Sequence, residues 1–510
     1  MKFTDVKLKL LESNSFAEIH AGLANNFYLP KEPIFSEKEK KLANILIMEI
    51  RKGSISKKKF EGILNDFKED FLEDVVSYIQ LNGLNEKLPS KNDFDLLFNI
   101  LSKFVSKIKF IVDKKLFSEY VLHNSIGLRQ FSFFSLDDDL EELMVNSPKR
   151  VFVFHKVYGM CRVEIEVSEK DLDDVIQKIA LTIKKNFGGS NAVLDARLPD
   201  GSRVNATVSE LSPTGATLTI RKFSVIPLTI LDLIENGTIS SEAAGFLWLM
   251  VDGMGNSPQN VLVAGGTASG KTTFLNILSN FVKLSERVVS IEDTIELSLL
   301  ARENWVALES RSNPNAEVSM DSLLKNALRM RPDRLIIGEV RGSEALSLFN
   351  AMDTGHQGCM GTIHANNARE TVIKLQEKPL SVPESMIPLL NLIVVMQRRY
   401  SKEKGMQRRI TQIVELSRMD DKVLFGSLFE FDEKSDSLKR TGISGTLLEK
   451  IAKTNSVSKA VVMNEIVIRK KILEWMLSHE IRKPLEVLEV IDTYYYNPEK
   501  VLKTISETIE

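Results

Sequence analysis

Apolar positions recur at helical spacing through the first 110 residues. In Glu37–Leu46 and Phe94–Leu101, Leu, Ile and Phe return every three or four positions among Lys, Glu, Asp and Asn. This predicts a helical N-terminal domain over residues 1–110. From 111 to 227 the period mixes: Val151–His155 reads as a strand, Asp171–Ile176 opens a helix, and Leu218–Ile220 is a strand again. A smaller α/β N-terminal domain of sandwich type is expected there. Residues 228–240 read as a linker, after which strands and helices alternate over 241–425, as in a doubly wound nucleotide-binding domain. The last stretch, 426–510, reads as a mostly helical extension, with a clear 3.6-residue period through Val461–Leu473.

A chain of 510 residues exceeds one ordinary domain. Its apolar share of 43% and charged share of 27% are those of a soluble globular protein. The net charge of −2 gives no bulk attraction to nucleic acid, so a nucleic-acid partner is not expected. The longest strongly apolar run, Ile387–Met396, is too short for a transmembrane segment, and Met1–Asp5 begins no signal core. Cys161 and Cys359 lie far apart with no C-x-x-C pair, which points to a reducing cytosol and away from a structural zinc site.

The chemistry concentrates at one place. Asn260–Ala264 runs into Gly265-Gly266-Thr267-Ala268-Ser269-Gly270-Lys271-Thr272, followed by Thr273 and the apolar Phe274–Leu278. This is G-x-x-x-x-G-K-[ST] between a strand and a helix start, the context of a phosphate-binding loop. Glycines let backbone amides turn inward around a polyphosphate, and the positive helix end adds to the field. Lys271 is expected to reach the β- and γ-phosphates of ATP, and the Thr272 hydroxyl to bind Mg²⁺.

Four further segments complete the candidate site. Leu335–Glu339 is an apolar strand ending in a carboxylate. The acid expected one residue earlier is replaced by Gly338, so Glu339 is read as touching Mg²⁺ through water or polarising the attacking water. Arg287–Glu296 is a second such strand, with Glu292, Asp293 and Glu296 at its end; Glu292 is the preferred general base. Thr354–Asn367 carries two of the six histidines, His356 and His364, among small residues, and an imidazole near the γ-phosphate is expected. Outside this domain, Arg197, Arg203 and Arg221 are candidates to close over the triphosphate, within one chain or between chains.

With these residues in hand, the chain resembles the secretion ATPases of the type II/type IV pilus superfamily, above all the archaeal archaellum motor and pilus-assembly members. The resemblance covers about 140–425. It runs through Glu141–Pro148, the arginine segments, the phosphate loop (Walker A), Glu292-Asp293 (Asp box), Leu328–Arg334, Gly338–Gly342 (Walker B) and the two-histidine segment (His box). It implies a RecA-like domain over 241–425 preceded by a PAS-like one. It also implies a ring-shaped homo-hexamer on the inner face of the membrane, an integral membrane platform protein as partner, and pilin-like substrates served indirectly. Two cysteines cannot form the tetracysteine insertion of bacterial members, which favours the archaeal or tight-adherence branches.

The leading expectation is an ATP-hydrolysing motor for filament assembly, secretion or archaellum rotation. A nucleotide-gated scaffold with little hydrolysis and a DNA-translocating ATPase are the alternatives. Nothing in the sequence supplies the acceptor-substrate lid that a small-molecule kinase needs.

Overall fold

In the computed structural model the described residues run from 9 to 509, leaving out 14–16, 23–24, 32–34, 55, 57–58, 61–62, 65–69, 85, 166, 190, 199, 223–227, 300, 312–317, 402–404, 420–421 and 444. The opening residues read for a signal core lie outside them, as do Pro199 and Phe223 of the arginine segments. The chain divides into two compact units, Met1–Val225 and Ile226–Glu510, both α/β.

The first unit begins with strands β1 (Lys9–Ser13), β2 (Ala17–Ala21) and β3 (Asn26–Pro30). These fall in the stretch expected to be helical, and the structure corrects that reading. Ala17 and Ile19 are buried while Glu18 and His20 are half-buried, a period of two that is too short to register against the helical signal downstream. Helices α1 (Glu37–Lys52), α2 (Asp70–Leu81), α3 (Lys91–Ser106) and α4 (Lys114–Ser125) follow, sharing a core around Leu46, Leu97, Leu101 and Phe117. Helix α1 opens with a Ser36–Glu39 capping box and stops at Gly53, whose φ of 65° suits glycine.

A short helix α5 (Ser132–Leu136) leads to β4 (Leu140–Ser147), β5 (Arg150–His155), β6 (Gly159–Val163), α6 (Glu169–Thr182), β7 (Val193–Arg197), β8 (Arg203–Thr207) and β9 (Thr217–Arg221). The described strands form one sheet in the order β1-β2-β3-β6-β5-β4-β9-β8-β7. Helix α6 buries Leu172, Val175, Ile176 and Ile179 in the core of this sheet.

The second unit starts with helix α7 (Ile230–Glu235), inside the expected linker. A Thr229–Asp232 capping box fixes its start, and Ile230, Leu231 and Leu233 are drawn into the core. Helix α8 (Ser241–Asp252) is apolar on nearly every side and is buried along its length. The nucleotide-binding fold then unrolls as β10 (Val261–Gly265), α9 (Lys271–Ser279), β11 (Val288–Glu292), β12 (Trp305–Glu309), α10 (Met320–Ala327), β13 (Arg334–Val340), α11 (Glu344–Asp353), β14 (Met360–Ile363), α12 (Ala368–Gln376) and β15 (Leu392–Ser401).

Strands β16 (Gly405–Met419), β17 (Lys422–Asp432) and β18 (Ser437–Arg440) carry the sheet past residue 425, into the stretch read as mostly helical. The order is β12-β11-β13-β14-β10-β15-β16-β17-β18. Pairing is parallel from β12 to β15 and antiparallel from there on. The parallel strands are near-continuous apolar runs because both faces are covered; β10 is buried at every position.

The chain ends in α13 (Leu447–Thr454), α14 (Lys459–Ser478), α15 (Pro484–Tyr496) and α16 (Pro498–Ile509). These helices contribute to the same core as α8 and α9. Helices α8 and α14 cross so closely that a Cβ added to Gly245 would lie 2.9 Å from the Lys470 nitrogen. At that crossing the Arg469 guanidinium bonds the Asp252 carboxylate, both buried. Of the tyrosine run, Tyr494 and Tyr495 turn inward, and the Tyr495 hydroxyl accepts a 2.7 Å bond from Trp248 Nε1. Among the described residues no helix is long and apolar enough to cross a membrane.

Candidate nucleotide site

Because β10, β11, β13 and β14 run parallel, their C-terminal ends open on one edge of the sheet. That edge gathers Gly265–Thr272, Glu292, Glu339 and His364, where open α/β sheets bind ligands. The loop between β10 and α9 is compact. A Cβ on Gly265 would lie 2.4 Å from Ser269 Oγ and 2.5 Å from the Met396 carbonyl oxygen. Gly270 takes φ 93°, which glycine adopts without strain, whereas Ala268 is held at φ 58°, backbone strain of a kind found at ligand clamps.

Gly270 is the N-cap of α9 and makes no side-chain cap, leaving the first-turn amides without a side-chain acceptor from that position. Lys271 Nζ and Ser269 Oγ both donate to the Gly266 carbonyl, at 2.9 Å each. Burial pulls the Lys271 pKa down while the Glu339 charge opposes that shift. An ammonium held beside a ring of backbone amides fits a polyphosphate, and the Thr272 hydroxyl on the same turn fits a phosphate-bound Mg²⁺.

Glu339 reaches this edge because β13 bulges. Ile337 pairs with Gly361 and Val340 with Ile363, so β13 holds one extra residue over that span, and Thr362 Oγ1 donates to the Gly338 carbonyl at 2.6 Å. Arg341 bridges two carboxylates, giving Nη2 to Glu339 at 2.7 Å and Nη1 to Asp293 at 3.1 Å. Burial would raise the Glu339 pKa, but the Arg341 hydrogen bond and charge, with Lys271 and His364, outweigh it and hold the carboxyl below its ordinary value.

Glu292 is placed differently. Its side chain is 2% exposed, and Oε2 accepts the amides of Glu296 at 2.8 Å and Leu297 at 3.1 Å. That carboxylate oxygen organises the turn after β11.

The two histidines separate. His364 follows β14 on the loop edge and is exposed, and its carbonyl accepts from Lys374 Nζ. His356 precedes β14, at the opposite edge of the sheet, where its carbonyl accepts from Cys359 Sγ, so of the two histidines only His364 stands at the loop edge. In the first unit, Arg197 stands opposite Arg203 and Arg203 opposite Arg221, a cross-strand row over β7, β8 and β9.

Two residues without an assigned role in the sequence reading also belong to the edge. Arg341 was signalled only by standing two residues after the strand-end acid. Arg408 on β16 donates from Nε to the Ala268 carbonyl at 3.3 Å, and its Cδ would be 3.1 Å from a Cβ on Gly270. Its sequence signal was faint: the hairpin pairs it with Arg398, ten residues away along the chain.

The sequence profile of the family described as "Type II/IV secretion system protein" matches residues 133–472. The chain is 31% identical to the uncharacterized protein MJ0900 of Methanocaldococcus jannaschii, over 91% of this chain and 86% of that protein. It is 29% identical to MJ0781 of the same organism, over 90% and 86%. Among solved structures, the VirB11 ATPase from the Brucella suis type IV secretion system is 26% identical, covering 55% of this chain and 90% of that one with a TM-score of 0.29.

Proposed function

The chain belongs to the type II/IV secretion system protein family, and from that premise we propose that it is a Mg²⁺-dependent ATPase whose turnover drives a membrane-associated filament or secretion machine. The observation that carries this reading is the joint placement of Lys271, Thr272, Glu339 and Arg341 at one edge of the parallel sheet. A pure nucleotide-binding scaffold needs the loop alone. It has no use for a carboxylate kept ionised by an arginine beside the loop lysine.

The amides of Gly266–Thr272 and the Lys271 ammonium bind the phosphates. The Thr272 hydroxyl, with Glu339 through water, would hold Mg²⁺, which would supply neutralisation of phosphate charge. Glu339 orients water, and Arg341 keeps it anionic and aimed. Glu292 shapes the turn that carries Asp293 and Glu296, a supporting role in place of the general base expected from sequence. His364 lends a polar or cationic group at the phosphate edge. Arg197, Arg203 and Arg221 supply the transition-state charge, a role that a cross-strand row of guanidinium groups suits.

Assembly as a homo-hexamer on the inner face of the membrane, against an integral membrane platform protein, extends the same reading, with pilin-like subunits as the cargo moved. The two Methanocaldococcus relatives support the archaeal branch. Phosphate release by the purified chain with Mg·ATP tests the chemistry. Turnover is expected in the wild type and absent in Lys271→Ala; equal rates overturn the reading. Capture of membrane partners with ADP or a slowly hydrolysed ATP analogue tests the machine. A platform protein is the expected partner, whereas salt-sensitive DNA binding with no membrane partner points to DNA translocation instead.

A further inference from the structure

The segment after β11 does more than carry carboxylates. It leaves the phosphate edge at Glu292, whose Oε2 holds the amides of Glu296 and Leu297. The Glu296 charge acts on Lys271, at the start of α9. Two residues on, the Ser298 amide donates to Asn276 Oδ1 at 2.9 Å, at the middle of α9. At the far end Arg302, only 7% exposed, gives Nη2 to the Val282 carbonyl at 2.7 Å and Nη1 to those of Lys283 at 2.6 Å and Glu286 at 3.2 Å.

The segment therefore runs alongside α9 and is fastened to it at the middle and just beyond its C-terminal end. Leu297 and Leu299 bury their side chains in the same core as Phe274, Ile277, Leu278 and Phe281. A buried guanidinium on the carbonyls just past a helix C-terminus is favoured by the helix dipole and by charge-assisted hydrogen bonds. The C-terminal helices grip the same end. Tyr495 OH donates to the Phe281 carbonyl at 2.5 Å, and the Leu284 amide donates to Asp492 Oδ1 at 3.2 Å.

We propose that Glu296–Leu299 together with Arg302 form a strap that holds α9, and with it Lys271 and Thr272, in register with the carboxylates of the site. Asn276 and Arg302 are its positioning residues, and α15 is attached where a pull on the C-terminal helices reaches the phosphate loop. The proposal deepens the ATPase reading and rests on it. A strap of this kind acts on the geometry of the chemical step more than on ground-state binding, because Lys271 and the loop amides all travel with α9.

The test uses the full chain in four forms: wild type, Asn276→Leu, Asn276→Asp and Arg302→Lys. The leucine variant removes the acceptor of the Ser298 amide at similar volume, whereas aspartate keeps it. The lysine variant keeps the charge but not the forked contact with several carbonyls. Expected are a fall in kcat of about tenfold for Asn276→Leu and Arg302→Lys, Mg·ADP affinity within about twofold of wild type, and kcat near wild type for Asn276→Asp. Hydrogen exchange supplies a readout independent of turnover, with the amides of α9 and of 296–299 losing protection together in Asn276→Leu.

Unchanged kcat and unchanged exchange in Asn276→Leu overturn the strap. So does an Asn276→Asp variant as impaired as Asn276→Leu, since a simple packing defect behaves that way. A wild type that shows no hydrolysis sinks the ATPase reading, and the exchange result still decides whether strap and helix move as one.

Discussion

Gly338 lies against Glu292: a Cβ built on Gly338 would sit 2.7 Å from Glu292 Cγ and 3.4 Å from its Oε2. The strand-end position where an acid was expected is therefore filled already, by the side chain of the neighbouring strand. Glu292 is in turn fixed by the amides of Glu296 and Leu297, so it has little room to give. Gly338→Asp is expected to lower stability by about 1–3 kcal/mol through overpacking and close approach of two carboxylates. Denaturant unfolding measures this. In a Glu292→Ala background the same substitution should cost less, because the two side chains compete for one space. Equal costs in both backgrounds would show that the glycine is there for another reason.

The Glu339–Arg341 pair makes a prediction about pH. The folded-state pKa of Glu339 is depressed, with Arg341 the main opposing influence to burial. Its stabilising contribution is thus present above the unfolded value of about 4.3 and is lost as pH falls through the lower folded value. Above the unfolded value the carboxylate stays ionised and competent, so it imposes no acid limb on kcat until the pH is below about 4.3. Replacing Arg341 by Gln removes the hydrogen bond and the charge, and the acid limb should move upward. A kcat–pH profile of wild type against Arg341→Gln reads this directly. Glu339→Gln should lower kcat by about 10²-fold or more while leaving Mg·ADP binding intact.

The second unit was the more legible in the sequence because its signals are local. Strand, glycine turn and helix follow one another within Val261–Ser279, and the β13 acid sits at the end of its own apolar run. What escaped depends on neighbours distant along the chain. Gly338 reads as a missing acid until β11 is placed beside β13. Arg408 becomes a loop contact only through the β15–β16 hairpin. His356 and His364 look equivalent in sequence, yet the short β14 between them carries one to each edge of the sheet. In the first unit, β1–β3 were hidden because a two-residue period interleaved with Glu and His resembles a solvated segment.

The arginine row has a cost that predicts its use. Arg197, Arg203 and Arg221 oppose one another across three strands, and like charges placed so are mutually repulsive. A triphosphate is the counter-charge such a row suits. Arg203, in the middle, is the residue to change. Arg203→Ala is expected to cut turnover by about 10³-fold, the scale of an arginine supplied to a phosphoryl-transfer transition state. Phosphate-release assays measure this, with Mg·ADP binding as the control. Mixing Arg203→Ala chains with Lys271→Ala chains should recover part of the activity if the row serves a neighbouring subunit, and none if it serves its own.

The Asp252–Arg469 pair decides whether the C-terminal helices are an accessory or part of the nucleotide-binding core. Both side chains are almost fully buried, and the guanidinium also lies 5.3 Å over the Trp248 ring. Burial opposes the charge on Arg469, yet Asp252 more than offsets it and keeps the guanidinium firmly protonated. Such a pair adds little over a well-packed apolar replacement, but breaking one half strands a charge in the interior. Arg469→Met alone should therefore destabilise the unit by about 3–5 kcal/mol, and Asp252→Leu combined with Arg469→Met should recover most of that loss. Thermal unfolding followed by tryptophan fluorescence compares the two. Recovery in the double variant would show that the pair fixes how α14 crosses α8 without being the source of stability. A double variant as weak as the single one would show that the aromatic stacking on Arg469 holds the helices in place.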